Sequence, residues 1–482
     1  MVTKKQQNSR ESNQTTAKHF APIIVDKGAL WGEQTQRSLK NFNIGQQCFD
    51  VGFIDALVSI KRASAEVNHE AGLLTSDCCR AIVTACDEIL SGRHRDQFPL
   101  RVWQTGSGTQ TNMNVNEVIC TLANALLDAD VQKQNKDNTA IHPNDHVNMS
   151  QSSNDVFPSA MHLVVAQQSH ETLLPALDHL NRTLSDKQTE FDDIYTVGRT
   201  HLMDALPLRT GAAISAHITQ LKEVKESINQ SLNGIYKLAM GGTAVGSGSN
   251  TPQGFGAQVA AGLAQQYGLP FTSHENLYAA VSGENDSLRY SAALKQLAAV
   301  LLKLANDFRL LGSGPRSGLN EWQLPANEPG SSIMPGKVNP TQCEVLSMVC
   351  LQAFGNDLTV SLAASQGQLQ LNTYRPVIIH NLMESIDLLT DAMNSFANNC
   401  VAGLTLNVRQ IESNMAHNLS TITLLMPQLG YDIATGIVHH AHLNHCSLAV
   451  AAEALGYFSE SEFETLMRDV LDKQLQEGTG SE

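Results

Sequence analysis

Residues Asp286–Leu311 read DSLRYSAALKQLAAVLLKLANDFRLL, and this stretch decides the fold class. Leu288, Leu294, Leu297, Val300, Leu301, Leu304, Phe308 and Leu311 fall mostly at three- and four-residue steps, while Ala292, Ala293, Ala298, Ala299 and Ala305 fill other faces. A helix apolar nearly all round is one surrounded by other helices. Similar patterns occur at 159–187, 210–237, 341–364 and 377–399. Proline agrees with them. It is absent from 23–98, 208–251, 271–314, 341–375, 377–426 and 428–482, and it clusters at Pro315, Pro325, Pro329, Pro335 and Pro340. Helix interiors exclude proline, so the pattern predicts long helices around one irregular loop. Strand-like alternation with hairpin turns is sparse. The expected architecture is mainly α, a central bundle of long helices.

The chain has 482 residues, which at about 150 residues per domain suggests about three domains. The divisions expected are 1–150, mostly helical, 151–408, the bundle, and the more polar 409–482, a small helical domain. The apolar share of 42% is too high for a disordered chain. No uninterrupted apolar run reaches the roughly 18–20 residues of a membrane span, so no membrane association is expected. With 32 basic and 47 acidic side chains the net charge is −15, and no basic block is present, which argues against nucleic acid as a partner. Charged residues make up only 16%, as expected where much surface lies between subunits. The nine cysteines are scattered without a CxxC pair, so neither a disulfide framework nor a zinc site is indicated. They suggest a reducing compartment. Residues 1–18 are polar and not Arg-rich, so neither a secretory nor a mitochondrial address is expected, and the cytoplasm is the expected location.

Four polar islands interrupt the helical pattern: Gly106–Asn114, His142–Asp145 leading to Ser150–Asp155, Gly198–His201, and Gly330–Pro340. Small hydroxyl and amide side chains point many short neutral donors at one ligand. A Ser-Ser-Asn at a helix start also frees backbone N–H groups for an anion. Any one island alone reads more readily as a cap or turn, and it is the four together, each close to a long helical pattern, that point to a site. Gly246-Ser247-Gly248 lacks the third glycine of a dinucleotide loop, and Gly336-Lys337 is followed by valine, so it is not a P-loop. His439, His442 and His445 are spaced three apart, but no acidic partner completes a patterned metal site, and a solvated or interfacial face is expected there.

Gly330-Ser-Ser-Ile-Met-Pro-Gly-Lys-Val-Asn-Pro340 resembles the signature of the fumarase/aspartase superfamily. The other islands, Leu30–Ser38, Trp103-Gln104-Thr105, Asn339–Glu344 and Tyr374-Arg375-Pro376 resemble class II fumarases in particular, and the likeness runs from about residue 28 to about 465. The resemblance implies reversible hydration of fumarate to L-malate through an aci-carboxylate, a step of the tricarboxylic acid cycle, with no metal and no organic cofactor. It implies Ser331 as catalytic base, His201 as the group that handles water, and Glu344 as the acid paired with that histidine. It implies substrate binding by Ser107, Thr109, Ser152, Ser153, Asn154, Thr200, Ser332, Lys337 and Asn339, and a second dicarboxylate site at His142, Asn144 and Asp145. It further implies a homotetramer with a twenty-helix core, each active site assembled from three subunits.

Some positions depart from the family's usual pattern. Thr139 and Ala140 stand before His142 where relatives often carry basic residues, and Met149 and Met203 replace frequent Lys and Gln. Asn250-Thr251-Pro252 and Gly367–Asn372 look more like aspartase, which eliminates ammonia from L-aspartate and is the nearest alternative. His201 separates the two, because aspartases generally carry Gln there. An inactive structural relative is the other alternative. The presence of Ser331, Lys337, Asn339, His201 and Glu344 together argues against it.

Overall fold

The computed structural model describes residues 22–134, 140–330 and 332–477. Helix α1 (Glu33–Asn41) leads to α2 (Val51–Glu70) and α3 (Ser76–Leu90). Asp50 and Thr75 start these two, their side-chain oxygens accepting the backbone N–H of Gly52 and of Cys78. Next come α4 (Thr109–Gln134), α5 (Ser153–Gln168) and α6 (Leu174–Glu190), then an antiparallel hairpin of β1 (Tyr195–Thr200) and β2 (Met203–Arg209). Helix α7 (Thr210–Ile235), strand β3 (Lys237–Leu238), α8 (Phe255–Tyr267), strand β4 (Thr272–Ser273) and α9 (Leu277–Ser282) precede the long α10 (Asn285–Leu311). Strand β5 (Trp322–Gln323), α11 (Thr341–Ala364), α12 (Arg375–Phe396), β6 (Thr405–Leu406) and α13 (Val408–His417) follow. Four further helices, α14 (Met426–Leu429), α15 (Tyr431–Asn444), α16 (Leu448–Ala454) and α17 (Glu460–Glu477), complete the described chain.

The helices expected from periodicity are present, with two differences. The stretch 159–187 is not one α-helix: Ser169–Leu173 forms a π-turn between α5 and α6. There the Ser169 hydroxyl donates to the Val165 carbonyl at 2.6 Å and meets the buried Tyr290 hydroxyl at 2.5 Å, giving the widened turn a fixed partner. Helix α10 buries Leu294, Leu297, Leu301, Leu304 and Phe308, but Ala292, Lys295 and Ala299 face outward in the single chain.

Contacts divide the chain into two compact units. The first draws its described residues from Met1–Leu173, Ser227–Lys295 and Gln352–Asp387, the second from Leu174–Glu226, Gln296–Leu351 and Leu388–Glu482. Both are discontinuous along the chain. In the first unit α2 is the central element, packed against α3, α5 and α8. Phe53, Ala56, Leu57, Val58 and Ile60 have no exposed surface, and Phe53 meets Phe157 edge-on at 4.8 Å. In the second unit Phe308 packs edge-on against Trp322 at 4.7 Å and lies tilted against Phe396 at 5.3 Å. A separate cluster of Leu425, Ile437, Ala451 and Phe463 holds the C-terminal helices.

Among the described residues α11 is the helix long and apolar enough to cross a membrane, with a mean hydropathy of 1.3. Glu344, Gln352, Asn356 and Asp357 interrupt it, so it holds no uninterrupted apolar run of that length. Two apolar faces on one helix raise the mean: Cys343, Leu346, Cys350, Ala353 and Val360 are buried, and a second row points outward.

Candidate active site

The first unit gathers one group of the expected residues around the start of α5. Ser152 caps the helix, its hydroxyl accepting the Asn154 N–H at 3.2 Å, and Asp155 returns the bond by accepting the Ser152 N–H at 2.9 Å. Thr109 opens α4, and its hydroxyl lies 2.8 Å from both the Ser107 and the Ser153 hydroxyls. Five expected residues, Ser107, Thr109, Ser152, Ser153 and Asn154, thus meet at one helix N-terminus, where backbone N–H groups and the helix dipole favour an anion. Gly108 makes this approach possible. It adopts φ +71°, and a Cβ there would stand 2.0 Å from the Phe157 ring.

Beneath these donors lies a polar layer that the sequence reading assigned no role. The other oxygen of Asp155 accepts the N–H groups of Gly241 and Thr243. Burial pushes its carboxyl up to about 6, against the pull of those bonds. Lys61 has no exposed surface, and its Nζ donates to Asn148 Oδ1 at 2.8 Å and Gln151 Oε1 at 3.0 Å. Burial lowers it to about 7, opposed by the charge of Asp155. Pro158 sits inside α5 and has no N–H to offer the Asn154 carbonyl one turn back. The fully buried Arg375 takes that acceptor instead, Nη1 donating to it at 2.8 Å. Its Nε donates to Glu284 at 2.6 Å and its Nη2 to the Val281 carbonyl at 2.6 Å. The Asn154 side chain is tied in turn to the Ala244 carbonyl at 2.8 Å. The Ser-x-x-Asp spacing 152–155 carried the signal for Asp155. Nothing local marks Lys61, Glu284 or the role of Arg375.

The second unit carries the other group. Thr200 ends β1 and pairs with Met203 of β2, leaving His201 and Leu202 as a two-residue turn, both with positive φ, +55° and +60°. His201 is exposed. The register slips between Val197 and Arg199, a bulge at Gly198, where a Cβ would stand 2.3 Å from the Leu206 carbonyl oxygen. Lys337 donates to Asn339 Oδ1 at 2.7 Å, and both side chains are exposed, as is Ser332. Glu344 is exposed in the first turn of α11. Among the described residues no hydrogen bond or ion pair joins Glu344 to His201. Ser331 and Thr139 lie outside the described residues.

The expected second site is an exposed turn. His142 caps the π-turn Pro143–Val147, with Nδ1 accepting the N–H groups of Asn144 and Asp145, which places a ring proton on Nε2 in the neutral form. Asp145 Oδ2 stands 3.2 Å from the same nitrogen. His439, His442 and His445 are exposed at the end of α15, and among the described residues no three metal-ligating side chains gather.

Comparison with known proteins adds a family. Residues 23–355 match the lyase family model. The chain is 49% identical to a class II fumarate hydratase of Pseudomonas syringae pv. tomato, over 97% of this chain and 99% of that one. It is 50% identical to a class II fumarate hydratase of Thermosynechococcus vestitus, over 92% and 95%. Among solved structures, a class II fumarase from Schistosoma mansoni superposes with a TM-score of 0.88 at 42% identity, covering 93% of this chain and 96% of that one. A fumarate lyase/delta crystallin from Brucella melitensis reaches 0.87 at 37% identity, with the same coverage.

Proposed function

The chain belongs to the class II fumarate hydratases of the lyase family, and from that membership we propose that it adds water reversibly to fumarate to give L-malate through an aci-carboxylate. The observation that carries this reading is the seat at the start of α5. Thr109 and Ser153 hydroxyls 2.8 Å apart stand beside the N–H groups of a helix N-terminus, which suits a substrate carboxylate. Lys337 and Asn339 offer a cation and an amide to the carboxylate on which charge grows, with Thr200 and Ser332 as further donors. In hydration His201 takes a proton from water as the water oxygen bonds to one alkene carbon. The electron pair moves onto the neighbouring carbon and its carboxylate, and the Ser331 hydroxyl delivers a proton to that carbon. In dehydration Ser331 is the base and His201 protonates the departing hydroxyl. Glu344 pairs with His201 and sets its protonation.

The assembly we propose is a homotetramer with a twenty-helix core, each site drawing on three copies. The outward row of α11 supports it: Val345 is 44% exposed, Met348 61%, Leu351 60%, Leu358 61% and Leu362 59%. An uncharged apolar row of that length suits an interface between copies. Pairing of His201 with Glu344 between copies fits their exposure in one chain. His142, Asn144 and Asp145 are the second dicarboxylate seat, and the domains run 1–150, 151–408 and 409–482. Nine free thiols fit a reducing compartment, the cytoplasm, with the reaction serving the tricarboxylic acid cycle.

The test is ultraviolet absorbance of the purified protein mixed with L-malate and, separately, with L-aspartate, since fumarate's conjugated double bond absorbs where neither does. A rise with malate alone is expected. A rise with aspartate alone moves the activity to an ammonia-lyase, and silence with both overturns the reading.

A further inference from the structure

The turn that carries His201 is held by a buried carboxylate for which the proposed reaction has no use. Glu321 has no exposed surface. It accepts from Arg199 through both oxygens, Nη2 at 2.6 Å and Nη1 at 2.9 Å, a two-pronged pair that fixes the guanidinium's plane as well as its position. Asn414 adds a third bond at 2.7 Å. The main chain of Glu321 is anchored too, its N–H donating to the Leu311 carbonyl and its carbonyl accepting from Asn407. A fixed point in the fold thus grips β1 two residues before His201. The other strand is gripped as well. Asn418 donates to the Ala205 carbonyl at 2.7 Å, and Ser420 to the Asp204 carbonyl at 3.1 Å. Two such grips answer to a turn that is unfavourable in itself. A two-residue turn of this kind prefers Asn-Gly, whereas here His201 and Leu202 both occupy the left-handed region. Released, such a turn relaxes and the imidazole moves with it.

We infer that Glu321 is a positioning residue for His201, holding the strained turn through the Arg199 fork in the conformation that presents the imidazole. The inference rests on the reading of His201 as the group that transfers water's proton. Glu321 does not touch the reacting atoms and acts through β1, by the Arg199 fork and a longer bond from the Thr196 hydroxyl at 3.4 Å, so its loss acts on turnover and leaves substrate affinity nearly unchanged.

Glu321→Gln keeps the side chain's size and removes its charge and one acceptor. The experiment measures kcat and KM for malate dehydration in E321Q, H201N and the double variant, well below each one's melting temperature. The expected result is a kcat roughly 10- to 100-fold lower in E321Q with KM within about twofold. The double variant is then no slower than H201N, because both changes remove one function. Full kcat in E321Q overturns the inference, and so does a double variant slowed by the product of the two single effects, which marks a merely structural role. Wild-type turnover in H201N overturns the reading of His201 itself, and the positioning role with it. Should E321Q fail to fold, Arg199→Lys, which keeps the charge and loses the fork, replaces it with the same expectations.

Discussion

Lys61 shows how a single residue can serve a site that it does not touch. Two amide oxygens hold its ammonium, among the described residues no carboxylate bonds it directly, and burial lowers it from 10.5 to about 7. The sign of the consequence follows from proton counting. Between pH 7 and 10.5 the unfolded chain keeps the proton and the folded chain has lost it, so this group makes stability rise with pH across that window and fall again as pH drops towards 7. Urea unfolding of the wild type at pH 7.5 and 9.5 should therefore show greater stability at the higher value, and Lys61→Met should lack that increment. Equal slopes in both proteins would remove Lys61 as its source. Gly108 carries a steric prediction. Alanine there meets both the positive φ and the Phe157 ring, and should cost about 2–4 kcal/mol in urea unfolding. A cost under about 0.5 kcal/mol would mean that the ring has room to withdraw.

At the scale of elements, α5 and the hairpin are both shaped by partners distant in sequence. Pro158 leaves the Asn154 carbonyl without its helical partner, and Arg375 supplies one across 221 residues of chain. Arg375→Met leaves that carbonyl unpaired and strips the buried Glu284 carboxylate of its cation, with the Ser287 hydroxyl still donating to it. Loss of roughly 3–5 kcal/mol of stability is expected, together with a raised KM as the helix start loosens. An unchanged KM in the folded variant would separate Arg375 from the substrate seat. In the hairpin, glycine at position 202 removes a left-handed penalty of about 1–2 kcal/mol but adds freedom to the unfolded chain, for a net gain of about 0.5–1 kcal/mol. Urea unfolding of Leu202→Gly checks that gain, and a net loss would mean that Leu202 makes contacts outweighing its strain.

At the scale of the molecule the outward row of α11 is the feature with the largest consequence. Glutamate at Leu358 puts a charge into the middle of an apolar row. In the proposed homotetramer such a charge is buried without a partner, which costs several kcal/mol per copy. Sedimentation velocity should show L358E as smaller species with wild-type helix content and little turnover. A tetramer of full activity would place the subunit contacts elsewhere. The row was legible in the residues 341–364 only as helical periodicity. Nothing in that pattern says which apolar face packs inside the chain and which remains outside.

The sequence by itself determined the long helices, because apolar spacing at three and four residues and the exclusion of proline are local conditions that a helix meets alone. It also determined the polar islands, since short hydroxyl and amide side chains cluster where helices begin. Tertiary structure decided the hairpin that presents His201: its strands lack clear alternation, and Glu321, Asn418 and Ser420 hold them from 122 to 216 residues along the chain from their partners. It decided the buried charges at Lys61, Asp155, Arg375 and Glu284 as well. A charge is tolerated inside only where enough hydrogen-bonding groups converge on it, and convergence is a property of space rather than of neighbouring residues.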